Sequence, residues 1–136
     1  MAMTVDSQTE TPNEFRQIVR VDAHTLHADV SDALGGKNSA PGPHDYFDIA
    51  LATCKALTAT WYARMNGLAL ERVEATVERD ASKEREGIYT LRVTLALFGN
   101  LPNGDKRRIA AAVAHCPIHK LMTTATIVIE TAPLGD

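Results

Sequence analysis

PHDYFDIALATCKALTATWYARMNG, Pro43 to Gly67, reads as one long helix, and the rest of the chain is placed around it. Pro43 suits a first helical turn, where its missing N–H costs nothing. Asp45 follows near the positive end of the helix dipole. Phe47, Leu51, Cys54, Thr58, Trp61 and Met65 recur at spacings of three and four, which puts them on one face. Alanines at 50, 52, 56, 59 and 63 favour both helix and close packing. Asn66-Gly67 is a helix stop. The result is about six turns at 3.6 residues per turn. An apolar helix of this length is expected at the centre of the fold.

Upstream, Leu34 to Pro43 concentrates Gly, Pro, Asn and Ser and reads as a loop. Phe15 to Val30 reads as a β-hairpin: Phe15, Ile18, Val19 and Val21 are apolar β-formers, Leu26, Ala28 and Val30 alternate with polar residues, and Asp22-Ala23-His24 makes the turn. Met1 to Asn13 is polar and acidic and is expected to be a mobile tail. Downstream, Val73–Arg79 and Tyr89–Leu97 alternate as strands joined by the charged stretch Asp80–Gly87. A helix is expected from Asp105 to His115, a short helical turn from Pro117 to Met122, and a last strand from Ala125 to Thr131. The order is ββ–α–ββ–α–β, an α+β class with a long helix on a mostly antiparallel sheet. The expected domains are a flexible tail over 1–13 and a single domain over 14–136.

A length of 136 residues fits one domain, and 45% apolar with 23% charged residues is an ordinary globular balance. The formal net charge of −3 argues against nucleic acid as a partner, since phosphate binding needs clustered Lys and Arg. No apolar run reaches the roughly 20 residues of a membrane span. The N-terminus lacks the basic start and apolar core of a signal peptide, so a cytoplasmic location is expected. There, a disulfide is usually catalytic or redox-sensing. No nucleotide-binding glycine pattern and no GxSxG elbow occur, and no cofactor is expected.

Two cysteines carry the candidate chemistry. Cys54 sits mid-helix, where a thiol commonly packs as a small hydrophobe. Cys116 precedes Pro117, a natural helix start whose dipole favours a thiolate, and His115, His119 and Lys120 lie close in sequence. The alternative for Cys116 is a buried helix junction. A zinc site at His115-Cys116-Pro117-Ile118-His119 lacks a second ligand cluster, so no metal is expected.

The Leu-Gly-Gly loop, Ala40-Pro41-Gly42-Pro43, the Ala-rich helix with Cys54, Trp61-Tyr62-Ala63-Arg64-Met65-Asn66-Gly67-Leu68, and Cys116-Pro117-Ile118-His119-Lys120 together resemble the OsmC/Ohr family of peroxide-resistance proteins, from about Phe15 to the C-terminus. The resemblance implies an intertwined homodimer with active sites at its interface. It implies that Cys54 attacks the O–O bond of an organic hydroperoxide or hydrogen peroxide, and that Cys116 resolves the sulfenic acid to a disulfide, which a dithiol reductant resets. Where the family carries a glutamate this chain has His44 and then Asp45, so Asp45 would take the carboxylate role of holding an arginine. Arg20, or Arg16, would supply that arginine to the thiolate. Phe47, Leu51 and Trp61 would line the substrate pocket. The alternative is a non-peroxidatic protein of the same fold that binds a small apolar ligand at the dimer interface.

Overall fold

The computed structural model describes residues 3–135, in two compact units, Met1–Phe47 and Asp48–Asp136. The first unit is a three-stranded antiparallel sheet in the order β1-β2-β3, with β1 at Val5–Thr9, β2 at Gln17–Val21 and β3 at His24–Ala28. Strands β2 and β3 are the expected hairpin. Val21 pairs with His24 across Asp22-Ala23, and Asp22 takes a φ of 53°, a conformation that Asp tolerates better than most side chains. Strand β1 lies within the stretch Met1–Asn13 that the sequence suggests as a mobile tail. Its polar sequence carries no burial signal because every residue of it is exposed; backbone pairing from Val5↔Val21 to Thr9↔Gln17 holds it instead.

After β3 the chain folds around one carboxylate. Asp29, only 3% exposed, accepts hydrogen bonds from the N–H groups of Val30 (2.8 Å), Lys37 (3.3 Å) and Ser39 (3.1 Å) and from the Ser39 hydroxyl (2.6 Å). These bonds tie down a loop that would otherwise leave its donors unpaired. Gly36 is required where the loop passes itself, because a Cβ there would stand 2.3 Å from the Val30 carbonyl oxygen.

Helix α1, Pro43–Met65, begins as the sequence indicates. The Asp45 carboxylate accepts the Gly42 N–H at 2.8 Å, satisfying a donor the helix cannot use. It ends at Asn66-Gly67, with Gly67 at φ 62° and the Leu68 N–H returning to the Ala63 carbonyl at 2.8 Å, a Schellman-type closure.

The second unit adds the antiparallel pair β4 (Leu70–Asp80) and β5 (Thr90–Gly99), helix α2 (Asn103–Val113) and helix α3 (Pro117–Thr123). Its core is Ala59, Ala63, Leu101, Ile109 and Val113, flanked by Tyr62, Leu68, Leu70, Val73, Leu95 and Leu97. Ala59 and Ala63 of α1 share this core with Ile109 and Val113 of α2, and burying a side chain the size of Ile109 contributes roughly 2–3 kcal/mol.

In this unit α1 shows two arcs, and the expected last strand is absent among the described residues. The buried row of α1 is Asp48, Leu51, Lys55, Ala59 and Ala63, whereas Trp61 and Met65 are exposed. At about 100° per residue, the row 54–58–61–65 lies on a neighbouring arc of the helix and is not the core stripe. The face formed by Phe47, Leu51, Cys54, Thr58, Trp61 and Met65 is there as expected, and the core of this unit is packed from the adjoining arc by Ala59 and Ala63, which carry little hydrophobic signal. Residues 125–131 form no strand, and Ile127, Val128 and Ile129 stand exposed. Their β-forming character needs a neighbouring edge, and no pairing within the described chain supplies one.

Candidate active site

Cys54 is half-buried on α1, four residues before Thr58, whose Oγ1 lies 4.0 Å from its Sγ. The pair stands on the wall of a cavity of about 770 Å³. One wall is α1, through Ala50, Thr53, Cys54, Leu57, Thr58 and Trp61; the other is the α2–α3 turn, through Ala112, His115, Pro117 and Ile118. Most of the surface is hydrocarbon, so the cavity suits an apolar group beside a thiol.

Cys116 is completely buried, at the N-cap position of α3, with Pro117 in the first turn as the sequence indicates. Its N–H donates to the Val113 carbonyl at 3.2 Å. Both cysteines are free thiols. The residues on either side of Cys116, His115 and Pro117, face the same cavity as Cys54.

Of the other expected site residues, one shares the cavity wall with Cys54. Trp61 lines the cavity. Leu51 is buried on the core-facing arc and is absent from the cavity wall. Phe47, Asp45 and Arg20 belong to the first unit. There Asp45 caps α1, and Arg20 is an exposed residue of β2 opposite Asp6 and Thr25. Arg16 is held by Glu10, with Nε–Oε2 at 2.7 Å, and by Ser39, whose Oγ it approaches at 2.7 Å. Among the described residues, no three His, Cys, Asp or Glu side chains gather as a metal site would require. No helix among them is long and apolar enough to cross a membrane.

Two polar clusters were not visible in the sequence reading. Lys55, the residue after Cys54, is 4% exposed. Its Nζ donates to the Val113 carbonyl at 2.9 Å and lies 2.8 Å from His119 Nδ1 and 3.5 Å from the Ala114 carbonyl. Burial, then the Lys55 charge, then His115 push the His119 pKa below its ordinary 6.5. His119 is therefore mostly neutral near pH 7 and adds little positive charge beside Cys116. The signal available was a lysine in register with Ala59 and Ala63 on one helical arc.

The second cluster is Asp48, which takes Arg79 Nε at 2.6 Å and the Tyr89 hydroxyl at 2.8 Å. It joins the start of α1's core arc to β4 and to the residue preceding β5. Burial and the hydrogen bond to the Asp48 carboxylate push the Tyr89 hydroxyl up to about 12, so it stays a donor across the physiological range.

The family model of OsmC-like proteins matches residues 36–132. Among solved structures, an OsmC-like protein from Mycoplasma pneumoniae superposes with a TM-score of 0.72 at 15% identity, covering 91% of this chain and 89% of its own. An organic hydroperoxide resistance protein OsmC from Legionella pneumophila gives 0.64 at 17% identity, over 91% and 90%. The organic hydroperoxide resistance protein OhrB of Bacillus subtilis gives 0.59 at 16% identity, over 91% and 92%. At such identities the likeness is one of fold. No curated protein sequence matches the chain significantly.

Proposed function

Because this chain belongs to the OsmC-like protein family, we propose that it is a thiol peroxidase that reduces organic hydroperoxides through Cys54 and Cys116. The observation that carries the reading is the apolar cavity with Cys54 on one wall and the neighbours of Cys116 on the other. The Cys54 thiolate attacks the outer oxygen of ROOH. The O–O bond breaks, the sulfur is oxidised to a sulfenic acid, and the alkoxide leaves as ROH after taking a proton. The Cys116 thiol then condenses with Cys54–SOH, forming the disulfide and releasing water. A dithiol reductant restores both thiols, which fits a reducing compartment such as the cytoplasm. A hydrocarbon lining with Leu57, Trp61 and Ile118 favours a hydroperoxide with a bulky apolar group over hydrogen peroxide.

The working form we propose is a homodimer. Leu57, Trp61 and Met65 are 68%, 62% and 68% exposed along one line of α1, an arrangement a single chain leaves in water only at a cost. Sedimentation at micromolar concentration should give twice the chain mass. In the dimer, the roles expected of Asp45 and Arg20 are tested by Arg20→Ala, which should slow Cys54 oxidation if that guanidinium serves the thiolate.

The deciding experiment treats reduced protein with one equivalent of cumene hydroperoxide and maps both cysteines by mass spectrometry. A Cys54–Cys116 disulfide that is lost in Cys54→Ser, where no sulfenic acid forms, is the expected result. Unreacted thiols at a modest excess overturn the peroxidase. The same apolar lining would then point to the second reading, a holder of a small apolar ligand, which native mass spectrometry of the purified protein detects.

A further inference from the structure

Lys55 occupies the arc of α1 next to Cys54 and faces the core, where a lysine is rarely this deep without partners. Its partners are 58 to 64 residues away in sequence and lie on either side of the junction between α2 and α3. Two of them are the carbonyls of Val113 and Ala114, at the C-terminal end of α2, where a positive group is favoured. The third is His119 in α3. The Val113 carbonyl accepts from both Lys55 Nζ, at 2.9 Å, and the Cys116 N–H, at 3.2 Å, so Lys55 and the Cys116 backbone share one acceptor.

The turn thus presents two sides. Ala112, His115, Pro117 and Ile118 face the cavity, while Val113, Ala114 and His119 face Lys55. Adjacent residues of α1 therefore meet the two sides of the same turn: Cys54 stands across the cavity from one, and Lys55 grips the other.

We propose that Lys55 is the positioning residue for the second cysteine: its bonds to the α2–α3 turn hold Cys116 buried in the reduced protein and fix the turn from which Cys116 reaches Cys54. The kinetic part rests on the thiol chemistry proposed above; the burial of Cys116 does not. Lys55 touches no substrate in this scheme. It sets how often the turn opens, and so how readily Cys116 is presented.

The test uses the reduced full chain. Alkylation of each cysteine by iodoacetamide is followed by mass spectrometry in the native protein, Lys55→Met and Lys55→Arg. Removing hydrogen bonds from a buried charged donor favours local opening, so Lys55→Met should raise the Cys116 alkylation rate by about tenfold or more and leave Cys54 within about twofold. Lys55→Arg, which keeps a donor, should restore part of the protection. Should Lys55→Met fail to fold, His119→Leu removes one partner at constant burial and should raise Cys116 alkylation by a smaller factor. Cys116 as protected in a folded Lys55→Met, or in His119→Leu where that variant has to stand in, as in the native protein overturns the proposal. With one equivalent of cumene hydroperoxide, Lys55→Met should slow disulfide formation more than Cys54 oxidation, and equal slowing overturns the kinetic part. A native protein that ignores peroxide sinks the peroxidase, while the alkylation arm still decides the clamp.

Discussion

Two irregular segments of this molecule, the loop after β3 and the turn between α2 and α3, are each gathered by a single buried charged side chain, and they differ in sign and in reach. Asp29 collects donors: three backbone N–H groups and one hydroxyl, all within ten residues of it. Lys55 collects acceptors: two carbonyls and a histidine nitrogen, from about 60 residues away. Each solves the same problem, backbone polar groups out of water with no ladder to pair them. The local knot shapes a loop, whereas the long-range knot binds separate elements together beside the candidate thiols.

The comparison breaks most readily at Gly36. A methyl group there meets the Val30 carbonyl oxygen and an Asp29 carboxylate oxygen at once. Gly36→Ala should cost about 3 kcal/mol, because the obstacle is backbone that cannot rotate away. Urea unfolding measures it, and a change below about 1 kcal/mol would mean that the loop yields without Asp29 losing its donors.

Lys55→Met comes next. It keeps the length and hydrocarbon of the side chain and removes the amine's bonds to the Val113 carbonyl, the Ala114 carbonyl and His119 Nδ1, at about 2 kcal/mol for hydrogen bonds lost to a charged group. The urea midpoint of the variant checks it. A wild-type midpoint would show that water replaces the amine at no cost, and Lys55 would then be no counterpart to Asp29.

The difference in reach also explains how legible the two were. The loop was readable because Gly35, Gly36, Asn38, Pro41 and Gly42 announce irregular backbone by themselves. Helix α1, its stop at Asn66-Gly67 and the hairpin β4–β5 were readable for the same reason: their signals are local. Lys55 was not, since its meaning depends on a turn formed by distant residues. The same limit applied to the helix face. Spacing grouped Leu51 with Cys54 and Trp61, yet the core follows Ala59 and Ala63, and Leu51 goes with them while Cys54 and Trp61 line the cavity. Strand β1 gave no apolar pattern because it is paired but exposed. The apolar run 125–131 gave a strong pattern without a partner. Of the candidate site, the two cysteines and Trp61 were legible as residue types in a familiar arrangement; the cavity that Cys54 and Trp61 line, with the neighbours of the buried Cys116, was not.

A smaller effect distinguishes the two knots by pH. Protonating His119 sets a second positive charge against Lys55, and its pKa is held below 6.5 in the fold. The unfolded chain therefore takes up that proton first, so stability is complete above pH 6.5 and declines as pH falls below it. His115 is the other positive neighbour and acts in the same direction. The urea midpoint should fall between pH 7.5 and pH 5 in the native protein and fall less in His119→Gln. Parallel curves for the two proteins would remove His119 from the clamp.

Asp29 should show the least change of all across the same range. The Ser39 hydroxyl and N–H, then the Val30 N–H, hold its pKa down to about 2 against the opposing effect of burial, with a further contribution from the Lys37 N–H. The unfolded carboxyl titrates near 3.8, so the stabilisation is complete above that value and is lost as pH falls from about 3.8 through about 2. Amide exchange at Val30, Lys37 and Ser39, corrected for its intrinsic pH dependence, should therefore be flat from pH 8 to pH 5. Protection should collapse only below pH 4, when the carboxylate that accepts from all three becomes a carboxylic acid. Loss of protection already at pH 5 would mean that the donors are held by something other than the charge on Asp29. The loop would then owe its shape to Gly36 and its neighbours, and the symmetry between an anion gathering donors and a cation gathering acceptors would be lost.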